Sequence, residues 1–350
     1  MEDHHHNGES SKKKKKSKKR RTLGQEDEGK VEEKSAERPT ISIAVAGSVI
    51  DNAQSLELAT LLAGQIARAV AIFRIDEVVV FDNIAEASND SEVTVENGGE
   101  NESGAQFLVR VLRYLETPQY LRRRLFPMHT SLKFVGLLPP LDAPHHVRKH
   151  EWSPFREGVT LDGDRANGTP VDVGLSKNVM VEQILESGKR VTVAMGTNRD
   201  IKAECLRKVV LPSSPREMGL YWGYKVRYAS NLSGVINSSP YKVHGIRLSI
   251  GGYDHIIGTS EHGQVINSSE LIIPKFMHLL IAFGGLGGLE ESIEEVNNFK
   301  GKGVNDLFHS YLNTCPHQGS RTIRTEEAIL ISLQYFQDSI RRAEQKLELK

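Results

Sequence analysis

Asn313–Leu333 reads NTCPHQGSRTIRTEEAILISL. Pro316, Gly319 and Ser320 bend the chain and leave backbone amides free for a ligand. Glu326 and Glu327 follow in the first turns of a predicted helix, where the helix dipole favours acids. Just upstream, Leu307, Phe308, Tyr311 and Leu312 form a short predicted strand. Strand, polar loop and helix is how α/β enzymes present a ligand at the carboxyl edge of a sheet, so this stretch points to an α/β fold.

Two more strands in the C-terminal half end the same way. Asp254–Gly258, DHIIG, opens into TSEHG, and His278–Phe283, HLLIAF, opens into GGLGGLE. Three small polar loops are therefore expected along one sheet edge. GGLGGLE misses the dinucleotide fingerprint, because from Gly285 the third glycine position holds Glu290, and it lacks the Lys-Ser/Thr of a P-loop. NAD and ATP are poorly supported, whereas its glycines still allow a ligand close approach. In the N-terminal half, Ile41, Ile43 and Val45 mark a buried strand closed by Asp51 and Asn52. Leu56–Phe73 keeps helical spacing, and EVVVF (Glu77–Phe81) is a second buried strand. This βαβ unit implies a parallel sheet.

Residues 84–103 read as a surface loop. A helix follows from Gly104, Pro118 breaks it, TPQYLRRRLF restarts a short one, and Leu132–Leu138 is expected as a strand. Six short segments of strand character then run between residues 156 and 228, spaced as in a small β-barrel. Tyr221, Trp222 and Tyr224 with Lys225 and Arg227 either stack bases or cover a core or domain seam. The C-terminal helix is expected from about Ile323 to Leu347.

Composition narrows the classes. No apolar run of about 18 residues exists, so no transmembrane helix is expected, and the polar start MEDHHHNGES does not read as a signal peptide. Two cysteines, Cys205 and Cys315, argue against a disulfide framework and fit a reducing compartment. No metal site is expected: His145 and His146 are adjacent and would point apart in a strand. The zero formal charge hides an asymmetry, since nine basic residues lie in Ser11–Arg21 and the rest of the chain holds 36 basic against 45 acidic residues. Such a block reads as a disordered tail serving nuclear entry or nucleic-acid contact, or simply as a solvated segment.

The motifs together resemble a known family. IGTSEHG (Ile257–Gly263), AFGGLGGLE (Ala282–Glu290) and NTCPHQGSRTIRTEEA (Asn313–Ala328) resemble the three knot loops of SPOUT-class RNA methyltransferases. With AVAGSVIDNAQ and GLYWGYKVRYASNLS, the match covers roughly residues 38–340. It is closest to the eukaryotic nuclear SPOUT family with an inserted OB-like domain, some members of which are described at the kinetochore and spindle. The resemblance implies a trefoil-knotted parallel-sheet domain over 38–150 and 229–350, an inserted OB-like barrel over 151–228, and a disordered basic tail over 1–37. It implies a homodimer holding S-adenosylmethionine (SAM), in bent form, at the dimer interface. It also implies a nuclear or nucleolar location and ribosomal RNA as partner.

The resemblance assigns roles as well. Gly284, Gly285, Gly288 and Gly319 would give SAM access to the backbone, and Leu286, Leu289, Thr322 and Ile323 would wall its adenine. Thr259 and Ser260 would bond its ribose or methionine portion. Glu290 would pair with its cationic or hydroxyl parts, or serve as a helix-start acid. Asn313, Thr314, Cys315, Pro316, Gln318 and Ser320 complete the pocket. Arg324 would orient RNA or stabilise charge on the base, or else pair with Glu327. Arg321 would meet a phosphate or the SAM carboxylate. Arg68 would lie near the acceptor, and Tyr221, Trp222, Lys225 and Arg227 would contact RNA. Cys315 reads as a nucleophile or, more simply, as a small residue in a turn. SRTIRTEEA resembles the ending of bacterial SPOUT enzymes that methylate uridine N3 in ribosomal RNA. Ribose 2′-O-methylation and a non-catalytic RNA-binding or mitotic scaffold are the alternatives.

Overall fold

Alternation along the first strand divides the core in two. In β1 (Thr40–Ala46), Ile41, Ile43 and Val45 enter one apolar cluster, while Ala44 and Ala46 enter another on the opposite face. The computed structural model describes residues 38–83, 102–163, 168–197, 206–241, 252–294, 296, 299 and 301–348. The basic tail, residues 84–101 of the expected surface loop, and Cys205 lie outside the described residues.

β1 is central to a six-stranded, all-parallel sheet. Its other strands are β2 (Glu77–Phe81), β8 (Lys225–Ala229), β9 (His255–Val265), β10 (His278–Phe283) and β11 (Ser310–Asn313), in the order β11-β9-β10-β1-β2-β8. Helices α1 (Leu56–Ile72), α2 (Gly104–Glu116) and α8 (Thr325–Glu348) cover one face. Shorter α5 (Leu232–Asn237), α6 (Gly288–Glu294) and α7 (Val304–Leu307) cover the other. Parallel strands need such crossovers, and burial on both faces explains their nearly unbroken apolar runs. Ser55 caps α1 by accepting from the Leu58 N–H, and Ser103 with Gln106 forms a reciprocal cap on α2.

A second, antiparallel sheet contains β3 (Phe155–Thr160), β4 (Thr169–Asp172), β5 (Val179–Val181), β6 (Arg190–Ala194) and β7 (Lys208–Val210), in the order β5-β4-β3-β6-β7. Its small core is Val171, Val173, Val179, Val181, Val193 and Met195. The two edges meet through Arg207, whose N–H donates to Met180 O (2.8 Å) and whose carbonyl accepts from Glu182 N (3.0 Å). That contact curls the sheet into a half-barrel.

Three expectations are corrected. The segment after residue 221 does not belong to the second sheet: β8 pairs in register with β2, Glu77 opposite Lys225 through Phe81 opposite Ala229. The main sheet therefore resumes by Lys225 rather than at residue 229. Residues 132–138 are not a strand but two 3-10 turns, Thr130–Leu132 and Val135–Leu137. Finally, β9 does not stop at Gly258 but continues to Val265.

A buried polar cluster joins the two sheets. Glu116, the last residue of α2, and Glu157 of β3 both bind Arg190 of β6, at 2.6 and 2.7 Å. Glu157 also accepts from Trp222 Nε1 (2.7 Å) and Thr192 Oγ1 (2.6 Å). The Glu116 carbonyl accepts from both His145 and His146, and His145 Nε2 lies 3.1 Å from the Glu116 carboxylate.

Candidate functional site

The candidate site lies at the carboxyl edge of β9, β10 and β11, and its first wall comes from a change of register. Tyr311 of β11 pairs with Gly258 of β9, but the next residue, Leu312, pairs with Gln264. Residues 259–263 are thus thrown out of the β11 ladder as a long bulge within one strand, where the sequence suggested a free loop. Gly263 is needed where the strands rejoin: a Cβ there would lie 2.3 Å from the Leu312 carbonyl carbon.

The second wall is the turn from β10 into α6. A Cβ on Gly284 would meet the Gly288 backbone at 2.3 Å, and one on Gly285 would meet Ser48 Oγ at 2.4 Å. Gly288 has φ +77°, in the left-handed region that favours glycine. The third wall is the segment from β11 to α8. Here the Asn313 side chain accepts from Cys315 N, Thr314 Oγ1 bonds Ser332 Oγ at 2.7 Å, and Gln318 Nε2 donates to Ser320 O.

Side chains tie the walls together. Thr259 Oγ1 donates to Ala282 O (2.9 Å), Asn313 Nδ2 to Glu261 O (2.9 Å), and Thr325 Oγ1 to Gly284 O (3.1 Å). Ser260 Oγ donates to Glu290 Oε1 at 2.9 Å. Burial opposes ionisation of Glu290. Hydrogen bonding from its own backbone and the polar side chains of Tyr311 and Ser260 outweighs that, so its carboxyl stays below the usual range. The site therefore presents a pre-ionised carboxylate at the start of a helix, beside glycine backbone and the exposed side chain of Leu286, 85% accessible.

Several expected roles change. Leu289 is fully buried in the core beneath the sheet, so it supports the turn rather than walling a ligand. Gly319 has open space where a Cβ would sit, so its conformation imposes no need for glycine. Pro316, Ser320, Arg321 and Thr322 are exposed, and Ile323 and Cys315 are half-buried. Arg324 does not pair with Glu327 through its guanidinium. Its Nε lies 3.7 Å from Glu326, while Glu327 accepts the Arg324 backbone N–H and so caps α8.

The expected RNA-contact cluster is also dispersed. Tyr221 and Trp222 are 8% and 4% exposed, and their polar ends bond Ile75 O and Glu157, so neither ring offers a face to a base. Arg227 binds Glu77 (3.2 Å), Val235 O and Tyr253, whereas Lys225 is exposed. Arg68 donates to Pro140 O and Leu141 O, anchoring the segment that passes over α1. The cluster's burial is the seam alternative realised. Sequence reasoning missed Ser48, although it lies in the quoted AVAGSVIDNAQ motif, and it read Tyr311 only as a strand residue. Among the described residues, no three His, Cys, Asp or Glu side chains converge as a metal site would require, and no helix is long and apolar enough to cross a membrane.

A family model described as "Putative RNA methyltransferase" matches residues 40–336, spanning the whole parallel sheet, the inserted sheet and the first half of α8. The chain belongs to this family of RNA methyltransferases. Curated members similar to it include the human 28S rRNA (uridine-N(3))-methyltransferase, 46% identical over 323 residues, covering 90% of this chain and 83% of the relative. The mouse protein of the same name is 46% identical over 305 residues, covering 86% and 77%. The Drosophila melanogaster protein of that name is 42% identical over 321 residues, covering 89% of this chain but 64% of the longer fly protein. This RNA methyltransferase thus carries its family match over the same elements that build the three-walled site.

Proposed function

We propose that the protein transfers a methyl group from SAM to N3 of a uridine in ribosomal RNA. The observation that carries this reading is the three hydrogen-bonded walls at one sheet edge, with the ionised Glu290 and the exposed Arg324 on them, in a family whose similar members are named for that reaction. The residues fit such a donor: glycine backbone at Gly284 and Gly285 gives its adenine close approach, Leu286 offers an apolar surface, and Glu290 with Ser260 offers acceptors. When bound, the donor supplies an electrophilic methyl on a sulfonium.

The chain's own residues would align the acceptor and favour its anion. Uridine N3 must lose a proton to become nucleophilic, and a guanidinium near the base oxygens favours that loss. Arg324 suits this role because its side chain is 63% exposed and held only by a long contact to Glu326. An exposed pair of this kind is weak, so the guanidinium is free to turn toward RNA. Arg321 beside it is the candidate phosphate contact. The curled second sheet supports an OB-like reading of the insert, and the three walls support the SPOUT reading with its trefoil knot. Leu58, Leu61 and Leu330, exposed on the adjoining helices α1 and α8, support a homodimer. Ser11–Arg21 supports nuclear entry, and spindle or kinetochore association follows from the family resemblance alone.

The test is incubation of the purified protein with SAM and ribosomal RNA lacking the modification, followed by nucleoside mass spectrometry. N3-methyluridine formed by wild type and lost in Arg324→Ala supports the proposal. 2′-O-methyluridine would replace it with ribose methylation. SAM binding without any product on the complete set of unmodified ribosomal RNAs would favour a scaffold.

A further inference from the structure

The stretch that leads from the parallel sheet into the second sheet is charged unlike its surroundings. Thr117–His150 holds six arginines and lysines against one acid, Asp142, whereas the remaining residues after 37 hold 28 against 35. In space, three segments with exposed cations converge on one pair of side chains. Tyr120, in α3 (Gln119–Leu125), has the Arg156 guanidinium 5.3 Å from its ring centre and donates to Glu157 O at 2.9 Å. Arg156 is fully buried. It donates to Val147 O, Arg148 O and Glu151 O, at 3.0, 3.1 and 3.1 Å, and to Val173 O at 3.0 Å. The turn after β4 closes on the same tyrosine, since a Cβ on Gly174 would come within 2.3 Å of its ring. These bonds lock α3, residues 147–151 and the β4–β5 turn side by side. Each presents cations to solvent: Arg123 and Arg124, then Arg148 and Lys149, then Lys177.

The acids on this ridge leave it positive. Asp172 takes only the Nε of Arg124, at 2.8 Å, and that side chain stays half exposed. Asp142 and Glu151 each stand 3.6 Å from Arg148, in exposed pairs of the kind that contribute little. Among the described residues, no ion pair reaches Arg123, Lys149 or Lys177. Arg122 is different: it turns inward to Thr117 O, Leu115 O and the Tyr114 ring. The locked backbone holds the outward cations at fixed spacing, which lowers the ordering cost of meeting a polyanion.

We infer that this ridge is an RNA-docking surface, built from residues other than those of the three-walled site, and that it binds the phosphate backbone of the substrate RNA. Phosphate contacts fix position and register and carry no sequence information. The ridge therefore sets affinity, while the choice of base stays with the site. This rests on the reading of the protein as a methyltransferase of ribosomal RNA.

Filter binding of the full chain to unmodified ribosomal RNA, across a salt series, tests it. Arg123→Ser/Lys149→Ser removes two exposed charges without an ion-pair partner, and an unchanged thermal melt confirms that it folds. Arg341→Ser/Lys346→Ser removes the same charge from the end of α8 and is the control. The ridge variant should bind about tenfold or more weakly at 0.1 M salt, and its log–log salt slope should be shallower by about 1.4–1.8. The loss should be equal on an unrelated RNA of the same length, with turnover at saturating RNA unchanged. The control should match wild type. An unchanged slope in the ridge variant, or an equal loss in the control, overturns the inference; N3-methyluridine still formed by wild type then leaves the proposed function standing. Weaker binding by the ridge variant with no product from wild type does the reverse, keeping the docking surface and removing the uridine reading.

Discussion

Arg190→Met would remove the cation that two carboxylates share at the seam between the sheets. Their side chains are 9% and 5% exposed, and Arg190 itself is 29% exposed. Glu157 would keep bonds from Trp222 and Thr192, but the Glu116 carboxylate would keep only His145. Glu116 also ends a helix, where the dipole disfavours an acid. Breaking a buried pair from one side costs about 3–5 kcal/mol, and partial exposure of Arg190 argues for the lower end, about 3 kcal/mol. At 2–4 °C per kcal/mol for a smaller domain this is about 6–12 °C, and in this larger chain the melting temperature should fall by less, roughly 4–8 °C.

The pH dependence gives a second, independent signature of the same loss. In wild type, burial opposes ionisation of Glu116, but Arg190 and His145 outweigh it and hold the carboxyl well below its ordinary 4.5. That stabilisation is present above the unfolded value and is lost only as pH falls through the depressed folded value. In Arg190→Met only His145 still opposes burial, so the folded value should rise above the unfolded one. The variant's deficit should then be largest at pH 8 and shrink as pH falls toward 5. Urea unfolding followed by tryptophan fluorescence at pH 8, 6.5 and 5 measures this, since Trp222 touches the cluster and only one other tryptophan exists. A deficit under about 1 kcal/mol, below the buried-pair range, or one that does not change with pH, refutes the reasoning. The double variant Glu116→Gln/Arg190→Met should recover part of the loss, giving a measurable coupling energy.

Other outcomes follow from the site. Gly284→Ala should lower stability by about 1–3 kcal/mol, because its Cβ collides with the Gly288 and Leu289 backbone, and should weaken donor binding; Gly319→Ala should leave the melt unchanged. Arg324→Ala should lower turnover by about 10²–10³ while changing stability by less than about 0.5 kcal/mol, as checked by single-turnover assays and thermal melts. Trp222→Phe should cost about 1–3 kcal/mol from the unpaired Glu157 acceptor and leave RNA affinity intact; a selective loss of RNA binding with an unchanged melt would restore the base-stacking role. Deleting residues 1–37 should flatten the salt dependence of RNA affinity if the basic run touches phosphates, and an unchanged slope leaves import as its use.

The legible parts of the fold were those written locally. The βαβ unit at the start carries its period in Ile41, Ile43 and Val45 and in the helix that follows, and α8 announces itself with Glu326 and Glu327. What the sequence hid depends on partners far along the chain. Nothing in KVRYA says whether that strand joins the second sheet or β2; the register with Glu77–Phe81 decides it. Thr259–Gly263 has the composition of a loop, yet β11 pairs with Gly258 before it and Gln264 after it, which keeps it within one strand. Trp222 reads either as a base-stacking ring or as a seam residue until Glu157 of another element takes its N–H. The site loops were found because glycine and polar clusters at strand ends are local signals. The side-chain ties between them appear only in three dimensions.

The sheet order also bears on biosynthesis. Among the described residues, β11 is the last strand of the sheet in the chain and pairs only with β9. Until it emerges from the ribosome, β9 is a bare edge, and the third wall of the site does not exist. Unpaired edges recruit other chains, and domains tend to form as their N-terminal parts appear. A nascent chain stalled before Ser310 would therefore hold most of its core yet expose the strand that carries Thr259 and Ser260. Premature termination in this stretch should produce aggregates more readily than inactive monomers.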